Sequence, residues 1–414
     1  MDKYLNKDDE VRAFDTREEV AEYLKFRNEH DEWIADTISS LSCYAIDPKI
    51  PIFWDSRKTG VTRMTKRGYK LPMDDIITDD SDEGKTNQEC IETFGMFLCV
   101  LHGCGTFRPI PCDERAFSSI IQRAGDECGT MTRVNESPKK SVLPIEEKAD
   151  RIARDFFLYE GGAQILVRDG KCRFVASDQY TIADNESLVL ALEEVLAQDH
   201  PDMEFVQGAV SHDYLALKWK LHDRMQEESL RLRLNDAGAN IQELTSGVTF
   251  VTSDVGKSSV RALVNFVIDG KEITLAGVAI DHKVEELNEE FKEGLQKFNE
   301  LMKESEEVIE ALGNTDIADV AFVVKEITDH YTAIFPKKAT EEVLGEIPIR
   351  YPAGVGGTAM DAYLLLVEII DRFTRSEKPT LARSLELSEK VSRLMHLPFD
   401  KIAAGGYEFP KQKN

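Results

Sequence analysis

The chain predicts an α+β fold: a central, mostly antiparallel sheet with hairpins and covering helices, flanked by N-terminal and C-terminal helical regions. Three observations carry this. First, two β-rich runs fold back at an Asp-Gly pair, Asp169-Gly170 and Asp269-Gly270, the strongest short-range hairpin signal. Second, the apolar run Val248 to Val251 breaks into Thr252-Ser253-Asp254-Val255-Gly256 and then returns to alternation. That reads as strand, tight turn, strand, with Gly256 free to take positive φ and Asp254 able to bond its own backbone. Third, both ends of the chain carry apolar residues at helical rather than strand spacing.

The elements follow in order. Residues 17 to 45 read as helical, because Val20, Tyr23, Leu24, Phe26, Trp33, Ile34, Ile38 and Leu41 recur near steps of three and four. A loop-rich stretch from Pro48 to Gly84 has a basic half and an acidic half. A second helical block spans about Asn87 to His102, and Asp113 reads as the N-cap of a helix through about Ala124. Ser137-Pro138-Lys139-Lys140 reads as a linker. The expected regions are therefore 1–136, a central sheet domain 141–282, a helical region 283–400 and a tail 401–414. In the centre, strands are expected near Gln164–Val167, Cys172–Ala176, Met203–Val210, Tyr214–Leu221, Val248–Thr252, Ala262–Ile268 and Glu272–Ile280. A helix over Glu186–Ala197, capped by Asp184, interrupts them, and the stretch before Val248 reads as a loop. Beyond residue 283, the run Val284, Leu287, Phe291, Gly294, Phe298, Leu301, Ser305, Val308, Leu312 gives four heptads with Gly294 and Ser305 as defects. Gly313-Asn314 ends that helix, and Asp316 reads as the cap of a partner running to Phe335, an αα-hairpin with an acidic outer face. Helices over Met360–Thr374, capped by Thr358, and Thr380–Met395 close the chain.

At 414 residues with 42% hydrophobic content, the chain can bury more than one core. No apolar run reaches the roughly 18 residues of a membrane helix, and the polar, acidic N-terminus does not read as a signal peptide. Seven cysteines with no such signal fit reduced thiols, and the expected location is the cytoplasm of a bacterial host. The formal charge of −25 and pI near 4.8 oppose indiscriminate binding to phosphate backbones. They oppose a focused, locally positive groove much less.

The segments Ala163-Gln-Ile-Leu-Val-Arg-Asp-Gly-Lys-Cys-Arg-Phe-Val-Ala-Ser-Asp-Gln-Tyr180 and Thr249-Phe-Val-Thr-Ser-Asp-Val-Gly-Lys-Ser-Ser-Val-Arg261 resemble the two hairpins of a family labelled phage/plasmid-like proteins, domain of unknown function 932. Ala116 to Gly125 is similar to that family's leading helix, and Gly357-Thr-Ala-Met-Asp-Ala-Tyr363 to its closing helix start. The resemblance covers about residues 110 to 375. Two departures stand out: Gln179 where the family tends to hold Arg, and Val267-Ile268-Asp269-Gly270 where a Cys-Asn pair is common. The resemblance implies a phage or mobile-element setting. It brings no catalytic residues.

The residues themselves offer few reactive constellations. Cys99, His102, Cys104 and Cys112 could form one zinc knuckle. Their spacing matches no common finger, so buried free thiols are the simpler reading, and no metal or cofactor is expected. Gly354 to Ala359 lacks the Lys-Ser/Thr of a phosphate loop and reads as a helix start. Ser211-His212-Asp213 reads as a turn, since triads are assembled from distant parts of a fold. No enzyme is expected.

Basic residues beside aromatics stand out against the acidic background, because cations track a strand's backbone while rings stack its bases. The candidates are Arg57, Lys58, Arg63, Lys66, Arg67 and Tyr69; then Lys218 and Lys220, which alternation places on one sheet face opposite Leu217 and Trp219; then Lys257 and Arg261 at the second hairpin. The leading expectation is a non-catalytic protein of phage or mobile-element DNA metabolism that binds or anneals single-stranded DNA, possible as a homo-oligomer. The alternative is an acidic factor that docks a host or phage protein as a mimic of a phosphate backbone.

Overall fold

The computed structural model describes residues 11–45, 76, 79–102, 106–124, 145–352 and 356–410. The chain divides into two compact units, one built from Tyr23–Ile182 and the other from Ala183–Asn414 together with Asn6–Glu22. The α+β class holds, with a six-stranded antiparallel sheet at the centre of the second unit.

The first unit corrects two helix expectations. Helix α1 (Arg17–His30) stops at His30, and the residues after it form β2 (Glu32–Thr37) and β3 (Ser42–Ala45). Trp33 and Ile34 satisfy helical spacing, but Trp33 lies opposite Leu166 in a strand pair. Tertiary pairing overrides a short periodic signal here. The second block also splits, into α2 (Asp82–Thr93), capped by Ser81, and β4 (Met96–His102). Gly95 at φ 78° makes the break, a conformation that favours glycine. β4 pairs with β3 and with β5 (Thr106–Pro111). Asp113 caps as expected, through a short 3-10 turn into α3 (Phe117–Ala124), and α4 (Ile145–Leu158) leads into the hairpin of β6 (Gly162–Arg168) and β7 (Lys171–Ser177).

Two three-stranded sheets result, in the orders β3-β4-β5 and β2-β6-β7. Because β2 pairs with β6, residues 145–182 belong with the N-terminal region, so the division falls at Ile182 and not at Ser137–Lys140. The shared core includes Cys43, Met96, Leu98, Ile120, Phe156, Ile165 and Cys172. At about 25 cal/mol per Å², each fully buried large side chain of this kind contributes about 1.5–3 kcal/mol.

In the second unit the strands β1 (Arg12–Phe14), β8 (Glu204–Val210), β9 (Leu215–Lys220), β10 (Leu244–Thr252), β11 (Val260–Ile268) and β12 (Lys271–Ile280) lie in the order β1-β8-β9-β10-β11-β12. Asp269 (φ 47°) and Gly270 (φ 75°) form the expected tight turn between β11 and β12, and Gly256 takes φ 65° between β10 and β11. One sheet face buries Leu217, Trp219, Val248, Phe250, Val264 and Phe266. Phe250 meets Phe291 of α7 (Leu287–Leu295) edge-on at 5.9 Å. Helix α5 (Asn185–Asp199), capped by Asp184 as expected, packs beside α7.

The expected loop before β10 is instead helix α6 (Arg224–Asp236), capped by Asp223. Its polar sequence hides the two residues that anchor it, Leu230 and Leu234. The four-heptad helix is broken at Gln296-Lys297 into α7 and α8 (Phe298–Gly313). Asp316 lies in a short strand paired with Thr358, and Asp319 caps α9 (Val320–His330) in its place. Next comes α10 (Lys337–Arg350), unforeseen because Pro348 sits in its last turn. Thr358 caps α11 (Ala359–Glu377) with a reciprocal Asp361 bond, and Thr380 caps α12 (Leu381–Arg393). The expected αα-hairpin is therefore a succession of shorter helices. Among the described residues no helix is long and apolar enough to cross a membrane.

Candidate nucleic-acid interface

Arg57, Lys58, Arg63, Lys66, Arg67 and Tyr69 lie outside the described residues, as does Cys104. The other four cations all belong to the second unit. Alternation along β9 places Lys218 and Lys220 on one face, with Leu217 and Trp219 on the other. Trp219 is 3% exposed, and its indole N–H donates to Glu193 Oε1 at 3.2 Å. It is therefore a core residue and not a stacking platform. Across the ladder Lys218 faces Thr249, which in turn faces Leu263; Arg261, two residues before Leu263, projects from the same face. Lys257 sits in the β10–β11 turn, where its backbone N–H donates to Ser253 Oγ at 3.0 Å. Lys220 pairs with Gly247, and Thr252, at the start of that turn, with Leu215, so Lys220 and Lys257 mark opposite ends of β9, about 17 Å apart at the usual rise.

The four cations divide by partner. Lys218 Nζ lies 2.5 Å from Glu272 Oε2, and Arg261 Nη1 lies 3.3 Å from Glu389 Oε2. Glu389 also holds Arg393 at 2.5 Å. Lys220 and Lys257 are exposed and make no ion pair among the described residues. Tyr214 joins this group: its hydroxyl donates to the Lys257 carbonyl at 3.4 Å. Burial, then the Asp213 charge, raise its phenol pKa, while Arg261 opposes them.

Lys218 and Arg261 also line a cleft of about 570 Å³ whose floor is this sheet face and whose walls are α8 and α12. Leu263, Leu301 and Val308 make it partly apolar; Thr249, Glu272 and Ser392 supply polar groups. At the floor Asn265 Nδ2 donates to Thr249 Oγ1 at 2.8 Å and to Glu272 Oε1 at 3.2 Å. Asp371 of α11 stands near this network. Burial pushes its carboxyl up to about 6, Glu272 adds to the shift, and Arg375, Lys271 and Lys218 pull the other way. Alternation made Lys218 and Lys220 readable in sequence. Glu272, which meets Lys218, Glu389, which meets Arg261, and the neighbouring Asn265 and Asp371 were not, because they arrive from other strands and helices.

The described members of the remaining candidates take structural positions. Ser211 Oγ accepts from the backbone N–H groups of Asp213 and Tyr214 at 3.3 and 3.2 Å, so Ser211-His212-Asp213 is a turn. Cys99 is on strand β4, not on a helix, and both it and Cys112 are buried. Among the described residues no group of His, Cys, Asp and Glu is placed to hold a metal ion. Compared with known proteins, the chain matches no family model, no curated protein and no solved structure.

Proposed function

We propose that the protein binds single-stranded DNA without catalysis, on the sheet face that carries Lys218, Lys220 and Arg261 and at the adjoining turn with Lys257. One observation supports this above others: four cations singled out from sequence gather on one face and turn of one sheet, with Tyr214 beside Lys257 and Arg261. Lys220 and Lys257 are open to phosphates at once. Lys218 and Arg261 would exchange a carboxylate for a phosphate, which keeps affinity modest and disfavours stray binding by so acidic a chain. A phage or mobile-element setting, and strand annealing by an oligomer, are the extensions that the resemblance suggests.

Anisotropy of a labelled single-stranded oligonucleotide tests the reading. The double charge reversal Lys218→Glu with Lys220→Glu is expected to abolish binding while leaving the melting transition in place. Undiminished binding by that variant would remove this face from consideration. Binding by neither protein would favour the alternative, an acidic surface that docks another protein.

A further inference from the structure

The first unit holds a chemical feature that strand binding does not use. Cys112 directly follows β5, and Cys172 lies in β7, so they sit on the two different three-stranded sheets. A single parallel bridge pairs them across the seam between those sheets. The neighbouring residues hold that seam shut: Asp113 N–H donates to the Cys172 carbonyl at 3.0 Å, and the Asp113 carboxylate pairs with Arg173, both side chains almost fully buried. Bridge-paired residues stand about 4.8 Å apart, inside the 4.4–6.8 Å Cα separation that a disulfide accepts. The Cys112 thiol is held by a long contact, donating to the Ile110 carbonyl at 3.8 Å.

We propose that Cys112 and Cys172 are an oxidation site, closing into a disulfide that clasps the two sheets of the first unit together. Two further thiols, Cys43 and Cys90, lie close enough to act electrostatically on Cys112. Cys90 is committed elsewhere, donating to the carbonyls of Met96 at 3.2 Å and Cys112 at 3.6 Å. Burial raises the Cys112 thiol well above its ordinary range and pushes Cys90 up to about 11, so at neutral pH these groups rest as protonated thiols. Oxidation therefore waits on transient opening of the seam, and the site reports sustained oxidant exposure.

The co-reactant is a hydroperoxide. One cysteine, deprotonated as the seam opens, attacks a peroxide oxygen; the O–O bond breaks, and hydrogen peroxide leaves a sulfenic acid and one water. The second thiolate attacks that sulfur, the S–S bond forms, and the sulfenic oxygen departs as a second water. The pair gives up two protons and two electrons, and the peroxide takes up both. A thiol reductant reverses the step.

The test treats the full chain with hydrogen peroxide, alkylates remaining thiols under denaturing conditions and maps non-reduced peptides. The expected product is a linked peptide joining Cys112 to Cys172. It should come with a rise in Tm of several degrees that dithiothreitol reverses, because a cross-link closing a long loop restricts the unfolded chain. Cys172→Ala should lose both signals, and Cys90→Ala should keep both. The linked peptide is read on the unmodified chain, so the outcome stands even if Cys172→Ala does not fold. Dominant linkage of Cys112 to Cys90 or Cys43 would overturn the proposal. So would failure to link in urea just below the unfolding midpoint, where the seam opens.

Discussion

The two Asp-Gly hairpins share a turn and differ in everything that surrounds it. Asp169-Gly170 takes φ 54° and 74°, and Asp269-Gly270 takes φ 47° and 75°. In the first unit the Asp169 carboxylate receives Arg27 at 2.9 Å, and the flanking Arg168 meets Asp31 at 2.5 Å. Arg168, Lys171 and Arg173 around that turn are all buried. In the second unit the Asp269 carboxylate accepts, among the described residues, only backbone N–H groups, from Gln242 and Glu243 at 2.9 and 2.8 Å. There the next residues, Lys271 and Glu272, remain partly open to solvent. Local chemistry sets the turn in both places. Long-range packing decides whether the charges beside it are paired deep in the core, as around Asp169, or in partly open contacts, as Lys271 with Glu368 and Glu272 with Lys218.

Breaking the buried charges of the first unit should have the largest effect. Asp113→Ala leaves Arg173 without its close partner in the core, and an unfolding titration should show a loss of about 3–5 kcal/mol. A loss below about 1 kcal/mol would mean that water reaches the seam. Asp169→Ala should cost about 3 kcal/mol by leaving the buried Arg27 with its longer contact to Asp31, against about 1–2 kcal/mol for Asp269→Ala, which forfeits two hydrogen bonds to backbone. Equal losses would erase the contrast between the hairpins. Gly170→Ala and Gly270→Ala sharpen it from the other side. Neither added Cβ meets a close neighbour, so each should cost the same backbone strain of about 1–2 kcal/mol.

The smallest effect is pH-dependent. The Asp371 pKa rises from its ordinary 3.8 to about 6, so the folded chain holds that proton more tightly than the unfolded chain. This contribution falls as pH climbs from about 4 through 6, and the full cost persists above. Asp371→Asn should therefore stabilise the protein at pH 8 by about 1 kcal/mol, after allowance for solvent screening, and change little below pH 4. A gain that is equal at both pH values would show that removing the charge is not its cause.

The sheet of the second unit was legible because its strands alternate and its turns carry Asp, Gly and Ser at the positions that demand them. Trp33–Ile34 and the Phe97–Leu101 run were misread as helix, since a few apolar residues at mixed spacing satisfy either period until a partner strand is known. Helix α6 was invisible for the opposite reason: two buried leucines anchor an otherwise polar surface. At the site, the direction of Lys218 and Lys220 could be read from β9 alone. That Glu272 would meet Lys218 across 54 residues, and Glu389 would meet Arg261 across 128, depends on how distant elements stack. Cys172 escaped notice likewise, as its pairing with Cys112 exists only where two sheets meet.

The most direct test of the strand-binding account is the salt dependence of affinity for a single-stranded oligonucleotide, with a matched duplex beside it. Each phosphate contact to a single strand contributes about −0.7 to the slope of log K against log salt. Engagement of all four cations predicts a slope near −3 and clear preference for the single strand, with the slope falling by about 1.4 in Lys220→Ala combined with Lys257→Ala. No binding at low salt, or a slope unchanged in that variant, would contradict the assignment of this sheet face.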